Sequence, residues 1–381
     1  MNLAEMLTYA DIEMLSKIAA HYECNCNSHS KMELIQSILN KMGNREFIQE
    51  HVDQMGIEDL RFLNTLLFDR RNRLSLEELL ASAGQAKFSP EDKNSGSGSV
   101  REMIARFRQR GWLFNGSTPN TRYLFGVPED LKSRFRSVLE QQIVSQVVKV
   151  QEPTVYREEQ EQAPEDLYLL LHYIQRHEIQ LNSEGVMYKR NQSQLMEKLY
   201  VGEPLVGRAG WRFGYGRRFR DYPDRFALLY DYACHRGFIR EQAGRLTLTE
   251  LGDKAVQEET KEPLLCLIHF WLRLYKGPIP NLLSLIYWID QGCALWTSAA
   301  SLLETMQRFI RPFYYDTPES IFRERIIKMM LHLGMVKVGE DAEHGAVLRM
   351  TPAGRSYVKS LVAGTAGLTD NKTTDKSNIR V

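Results

Sequence analysis

RFRQRGWLFNGSTPNTRYLF (106–125), ACHRGFIREQAGRLTLTELG (233–252) and LHLGMVKVGEDAEHGAVLRMTPAG (331–354) share one order: the end of an amphipathic helix, a glycine, an apolar couple, a short polar turn, and a second apolar strand. The glycine of each copy (Gly111, Gly237, Gly334) is placed to end the helix, because a left-handed residue costs little where there is no Cβ. Alternating apolar and polar positions on either side of a turn then predict a β-hairpin.

A helix closed by glycine and followed by such a hairpin has the pattern of the third helix and wing of a winged helix. The expected fold class is therefore mainly α with small β-hairpins (α+β), as tandem winged-helix-like domains preceded by a small helical module. The expected divisions are a SAP-like helical module over 1–55, a first winged-helix-like domain over 56–150, an acidic linker over 151–166, a second domain over 167–257, a helical plus winged-helix-like third domain over 258–363, and a disordered tail over 364–381. Apolar spacing places helices at Ala10 to His21, Lys31 to Met42, Ile57 to Phe68, Ser75 to Ala83, Val100 to Arg110, Leu167 to Arg176, Gln192 to Tyr200 and Pro223 to His235, with a last helix from Pro352. The stretch 151–166 holds six acids, one arginine and two prolines, a composition expected of a solvated connection. Residues 87–99, rich in Ser, Gly, Asp and Lys, read as a flexible loop.

The formal net charge is only +1, so affinity for a polyanion must come from local concentration of cations. Two stretches provide it. Val206 to Tyr222 reads VGRAGWRFGYGRRFRDY, and between Arg208 and Arg220 it carries five arginines, four aromatics and no acid. Arginine forks match phosphates, aromatic faces accept bases, and glycine permits close approach of a ligand. This makes Arg208, Trp211, Arg212, Tyr215, Arg217, Arg218 and Arg220 candidate nucleic-acid contacts, against the alternative that the aromatics pack and the arginines pair with Asp221, Asp224 and Asp231. On the helix 100–110, Met103, Ile104 and Phe107 define the buried face; Arg101 and Arg108 share one flank, Arg106 and Arg110 the other. With Arg122 in the wing, Arg101, Arg106, Arg108 and Arg122 are the second candidate set, within a stretch to Arg136 of eight basic residues and three acids. The third unit is less basic, with Arg323, Arg325 and Lys328 among Glu319 and Glu324, and protein docking suits it as well as DNA contact.

His21, Cys24, Cys26 and His29 offer donor types for tetrahedral zinc, but without C-x2-C spacing or a second ligand pair a polar interhelical loop is the better reading. No P-loop, dinucleotide fingerprint, zincin motif or nucleophile elbow is present, so neither catalysis nor a cofactor is expected. The odd set of five cysteines fits a reducing cytoplasm, and no uncharged apolar run is long enough to span a bilayer.

The element Leu181, Gly185, Lys189 and Arg190, with Asn182 where threonine is usual, followed by the hairpin closing on Leu246, Leu248, Thr249 and Gly252, resembles the helicase-associated region at the N-terminus of bacterial relatives of the XPB/Ssl2 helicases. Trp271 and Trp296 resemble the region that follows, and the similarity extends over about 165–360. Such a resemblance implies a DNA-associated accessory module; this chain departs from those helicases in having no ATPase core. The expected function is non-catalytic DNA binding, to double strands with low sequence specificity, as a nucleoid-associated accessory to a helicase, transcription or DNA-maintenance complex. The alternative is an adaptor that docks an ATPase or RNA polymerase with little DNA contact.

Overall fold

The computed structural model describes residues 1–71, 73–88, 99–207 and 212–363. Several of its helices begin where polar side chains replace missing backbone acceptors. Asp11, Ser30, Ser75 and Ser99 each accept from a backbone N–H three residues on, and Ser75–Glu78 and Ser99–Glu102 close full capping boxes. In chain order the first elements are α1 (Leu3–Tyr9), α2 (Ile12–His21), α3 (Lys31–Gly43), α4 (Arg45–Asp53), α5 (Ile57–Phe68), α6 (Leu76–Ala86) and α7 (Val100–Gln109), then the hairpin β1 (Phe114–Asn115) and β2 (Phe125–Gly126), and α8 (Glu129–Gln146). There follow β3 (Tyr156–Arg157), α9 (Gln162–Arg176), β4 (Ile179–Gln180), α10 (Lys189–Met196), α11 (Asp224–His235), β5 (Ile239–Gln242), β6 (Arg245–Leu248), α12 (Glu250–Gln257), α13 (Leu264–Leu274), α14 (Leu282–Gly292), β7 (Thr297–Ser298) and α15 (Ala299–Met306). The helix α16 runs through Pro318–Ser320, widens to a π-helix over Ile321–Ile327 and closes over Lys328–His332; β8 (Val336–Asp341), β9 (Gly345–Met350) and α17 (Pro352–Ala363) end the described chain. The protein is mainly α with small antiparallel sheets.

The three quoted stretches each form a helix, a left-handed glycine and a hairpin, with φ of +64° at Gly111, +69° at Gly237 and +65° at Gly334. In the second and third copies the exit from the hairpin is built alike. Thr249 Oγ1 donates to Gly237 O and accepts from Gly252 N, and Thr351 Oγ1 donates to Gly334 O and accepts from Gly354 N. The Thr-x-x-Gly element thus ties the helix end to the start of the next helix, and its glycine is required by packing. A Cβ at Gly252 would lie 2.1 Å from Phe238 O, and one at Gly354 2.3 Å from Met335 O. The first copy lacks this threonine and enters α8 through Pro128.

The hairpins recruit strands from outside their own stretches. Sheet order is β4-β6-β5 in the second unit and β3-β8-β9-β7 in the third. One apolar core runs from Leu3 to Leu361, so the units are not the self-contained modules their sequences suggest. Asn64 on α5 is buried against α14, donating to Ser284 Oγ (2.9 Å) and accepting from Trp288 Nε1 (2.8 Å). Residues 1–55 dock onto α7 and α8: Tyr22 Oη donates to Arg110 O at 2.6 Å, and Leu3 N to Asp130 at 2.8 Å.

The acidic stretch 151–166 is not a solvated linker. Tyr156 and Arg157 pair with Gly339 and Val338 as an edge strand, and Glu159 and Asp166 are buried. All six acids find distant partners: Glu152 meets Arg349, Glu158 meets Lys337, Glu159 meets His332 and Arg225, Glu161 meets Tyr357, Glu165 meets Lys261, and Asp166 meets Arg225. The composition that suggested solvation marks instead a strap in which five of the six acids meet cationic side chains far away in sequence and the sixth, Glu161, accepts from a tyrosine hydroxyl. The expected tail 364–381 and most of the expected loop 87–99 lie outside the described residues.

Candidate nucleic-acid interface

The end of α7 and the first hairpin place cations on both flanks of one helix, and only one flank is open. On the closed flank Arg106 donates to Asp59 at 2.6 Å and Arg110 reaches the same carboxylate at 3.4 Å, with Asp59 itself nearly buried. The hydrogen bond to Asp59 raises Arg106 above the ordinary guanidinium value against the opposing effect of burial. Arg106 is therefore a structural cation holding α7 on α5, a correction to its assignment as a phosphate contact. The eight-residue basic stretch thins further downstream: Lys132 pairs with Glu129, Arg134 donates to Met42 O, and Arg136 donates to Leu67 O.

On the open flank Arg101, Arg108 and Arg122 are exposed, and among the described residues none has a carboxylate partner. Arg108 donates to Asn115 Oδ1 at 3.3 Å, and Asn115 Nδ2 donates to the backbone Arg122 O at 2.9 Å, so one asparagine ties the helix cation to the wing backbone that carries Arg122. Arg122 lies over the exposed ring of Tyr123, 4.6 Å from its centroid. Arg73, which the sequence did not single out, joins them from the turn before α6: a Cβ on Gly116 in the hairpin would lie 2.1 Å from Arg73 Nη1. The basic run around Arg70, Arg71 and Arg73 was its local signal.

The arginine-aromatic loop is arranged differently. Arg208 and Trp211 lie outside the described residues. Arg212 bonds Asp224 and the carbonyls of Phe219 and Tyr222. Arg218, buried, bonds Glu241 (2.9 Å) and Glu184 O (3.0 Å), while Arg217, half exposed, also engages Glu241. Tyr215 is buried edge-on against Tyr275 and Phe313. Arg212, Arg218 and Tyr215 are held within the fold, which corrects their assignment as nucleic-acid contacts; Arg217 pairs with Glu241 at the surface, and Arg220, exposed over Phe219, remains open. Glycine is needed here for the loop's own contacts: Gly216 has φ +102°, and a Cβ there would lie 2.6 Å from Asp231 Oδ2, which accepts from Arg217 N at 2.7 Å. From the third unit, Arg325 reaches Asp316 (2.9 Å) and Phe213 O (2.7 Å), locking the loop from the other side.

Burial pushes Asp231 up to about 6, against the backbone hydrogen bonds of Arg217 and Arg218 that oppose the rise. Between its ordinary value of 3.8 and about 6 the folded chain then binds more protons than the unfolded one, so this carboxyl lowers stability as pH rises through that window. Asp231→Asn is expected to remove that slope and to add on the order of 1–3 kcal/mol at neutral pH. Urea titrations of both proteins at acidic and neutral pH test it; parallel pH profiles would refute the assignment.

Among the described residues no group of three or more His, Cys, Asp or Glu side chains is arranged to hold a metal ion. His21 ends α2 and Cys24, Cys26 and His29 follow in the α2–α3 connection, where Cys26 Sγ turns to Cys24 O (3.9 Å). Among the described residues no helix is long and apolar enough to cross a membrane. No protein-family model and no curated protein matches the chain.

Proposed function

We propose that this chain is a non-catalytic DNA-binding protein whose first winged-helix-like unit grips the phosphate backbone of a duplex, as an accessory to a helicase, transcription or DNA-maintenance complex. The observation carrying this reading is that Asn115 ties Arg108 to the wing backbone at Arg122, with Arg101 two turns along the same flank and Tyr123 beside them. Unpaired, exposed guanidinium groups on a helix and its adjoining hairpin can release counterions from a polyanion, which paired ones cannot do without first breaking their ion pairs. Few side chains suited to reading base edges accompany them, so sequence specificity is expected to be low.

The triple variant Arg101→Glu, Arg108→Glu, Arg122→Glu tests this by fluorescence anisotropy with a labelled duplex across a salt series. At about 0.9 per phosphate contact, the slope of log K against log salt should become shallower by about 2.7. An unchanged slope in a variant with wild-type melting would rule the surface out. A second reading, a protein-docking adaptor, is favoured by Tyr314 and Tyr315, which are 80% and 71% exposed beside Phe213 and Phe313. Partners that persist in pull-downs after nuclease treatment, together with purified protein that ignores DNA at low salt, would decide for it.

A further inference from the structure

A cleft of about 1450 Å³ opens between the α5–α6 pair and the ends of α11, α13 and α14. Among the described residues, seven Lys and Arg side chains line it against two carboxylates, Asp69 and Glu78, both of which are bound by Arg71. Of the rest, Arg236 is paired with Glu262 outside the cleft, and Arg61 is buried, donating to Arg308 O and Ala86 O. Four cations have no carboxylate partner among the described residues: Arg70, Arg273, Lys276 and Arg311, all exposed.

Part of this charge has a structural use, since α5, α6, α11 and α13 end at the cleft, each C-terminus carrying roughly −0.5 of a charge, while α14 begins there with roughly +0.5. Together these ends account for roughly −1.5 against the four cations that have no carboxylate partner, leaving the described lining positive. Its apolar lining includes aliphatic residues such as Leu272, Ile279 and Leu283 together with aromatic rings that lie beside the cations. His235 stacks on Phe270 (5.2 Å, 16° between planes), Arg273 lies 5.8 Å from the Phe270 centroid, and Phe88 lies 3.7 Å below Arg61. Cations spaced along a groove with flat rings between them suit a phosphate backbone whose bases are unstacked; in a duplex the base faces are already stacked on one another.

We propose that this cleft holds a single strand of nucleic acid, its phosphates on Lys276, Arg311, Arg70 and Arg273 and a base against the His235–Phe270 stack. The inference rests on the DNA-binding reading above and extends it: the chain takes duplex at the α7 hairpin and unpaired strand in the cleft, and so recognises a junction between them. Both sites are tested on the full chain with a labelled blunt duplex, an unpaired mixed-sequence strand, the same strand made abasic, and inorganic polyphosphate.

Lys276→Glu with Arg311→Glu, both exposed positions, is expected to weaken strand binding by about tenfold or more and to make its salt slope shallower by about 1.4, at about 0.7 per phosphate. Duplex binding should be unchanged, while the α7-hairpin triple variant should show the reverse pattern. The milder Arg273→Gln checks the same groove if the reversal lowers the melting temperature. Wild-type strand affinity in both cleft variants would overturn the proposal, as would abasic strand or polyphosphate binding as tightly as the intact strand. Wild-type protein that binds duplex but no strand overturns the cleft alone, and protein that binds strand but no duplex overturns the α7 surface alone.

Discussion

Arg225→Met is expected to lower folding stability by about 3–5 kcal/mol, because it removes the cation from a buried cluster and leaves its carboxylates behind. Arg225 is 1% exposed at the start of α11; it bonds Asp166 and lies 3.4 Å from Glu159, which are 0% and 2% exposed. His332 Nδ1 sits 2.9 Å from Glu159, and Glu203 accepts from the backbone N–H groups of Arg225 and Phe226 while facing His332 at 3.7 Å. The cluster joins the acidic strap to the second and third units, so its loss loosens both at once. Burial would raise Glu159, but the hydrogen bond and charge of His332, then the charges of Arg225 and Arg157, hold it below its ordinary 4.5. With a depressed folded value the unfolded chain binds more protons near that pH, so this contribution is present at neutral pH and is lost on acidification. Urea denaturation at neutral pH measures the cost. Adding Glu159→Gln and Asp166→Asn to Arg225→Met should restore more than half of it, since what costs most is the uncompensated charge. A single variant as stable as the wild type would show that the cluster does not hold the units together.

Gly334→Ala is expected to cost about 2–5 kcal/mol, whereas Gly237→Ala, at the equivalent place in the second copy, should cost only about 1–2 kcal/mol. Both glycines are left-handed, at +65° and +69°, and share the conformational penalty of a Cβ in that region. Their surroundings differ. Nothing lies within 4 Å of a Cβ at Gly237, while one at Gly334 would fall 1.7 Å from Gln160 O and 2.4 Å from its carbonyl carbon. Gln160 is itself left-handed at +46° and carries the strap past the end of α16, so the added methyl must displace backbone that also positions Glu159. Gly111 stands between the two, with Ile18 side-chain atoms at 3.1–3.2 Å that can shift. Melting curves of the three alanine variants should rank in that order, with Gly334 worst; equal losses would show that the backbone angle alone sets the cost.

The candidate site was legible in outline. The heptad spacing of Arg101 and Arg108 put them on one flank, and they stay open there, while Arg106 and Arg110, placed together on the other flank, meet the same Asp59. Nothing local distinguishes the two flanks, because Asp59 lies on α5, a separate helix earlier in the chain. For the same reason the arginine-rich loop read as an open cationic surface: Glu241 and Asp231, which engage Arg217 and Arg218, come from β5 and α11. The cleft left no trace in any one stretch, since the four cations without a carboxylate partner come from three segments of the chain, around Arg70, Arg273 with Lys276, and Arg311.

Sequence by itself determined the local structure: helix faces from apolar spacing, helix ends from three glycines, and hairpins from alternation after them. These features depend on residues within a turn or two of each other, and period and capping state them directly. Tertiary structure alone decided which charges are free. Whether an arginine is open to a phosphate or held by a buried carboxylate depends on a partner that folding brings across long stretches of chain, and desolvation of that partner makes the pairing binding on the fold.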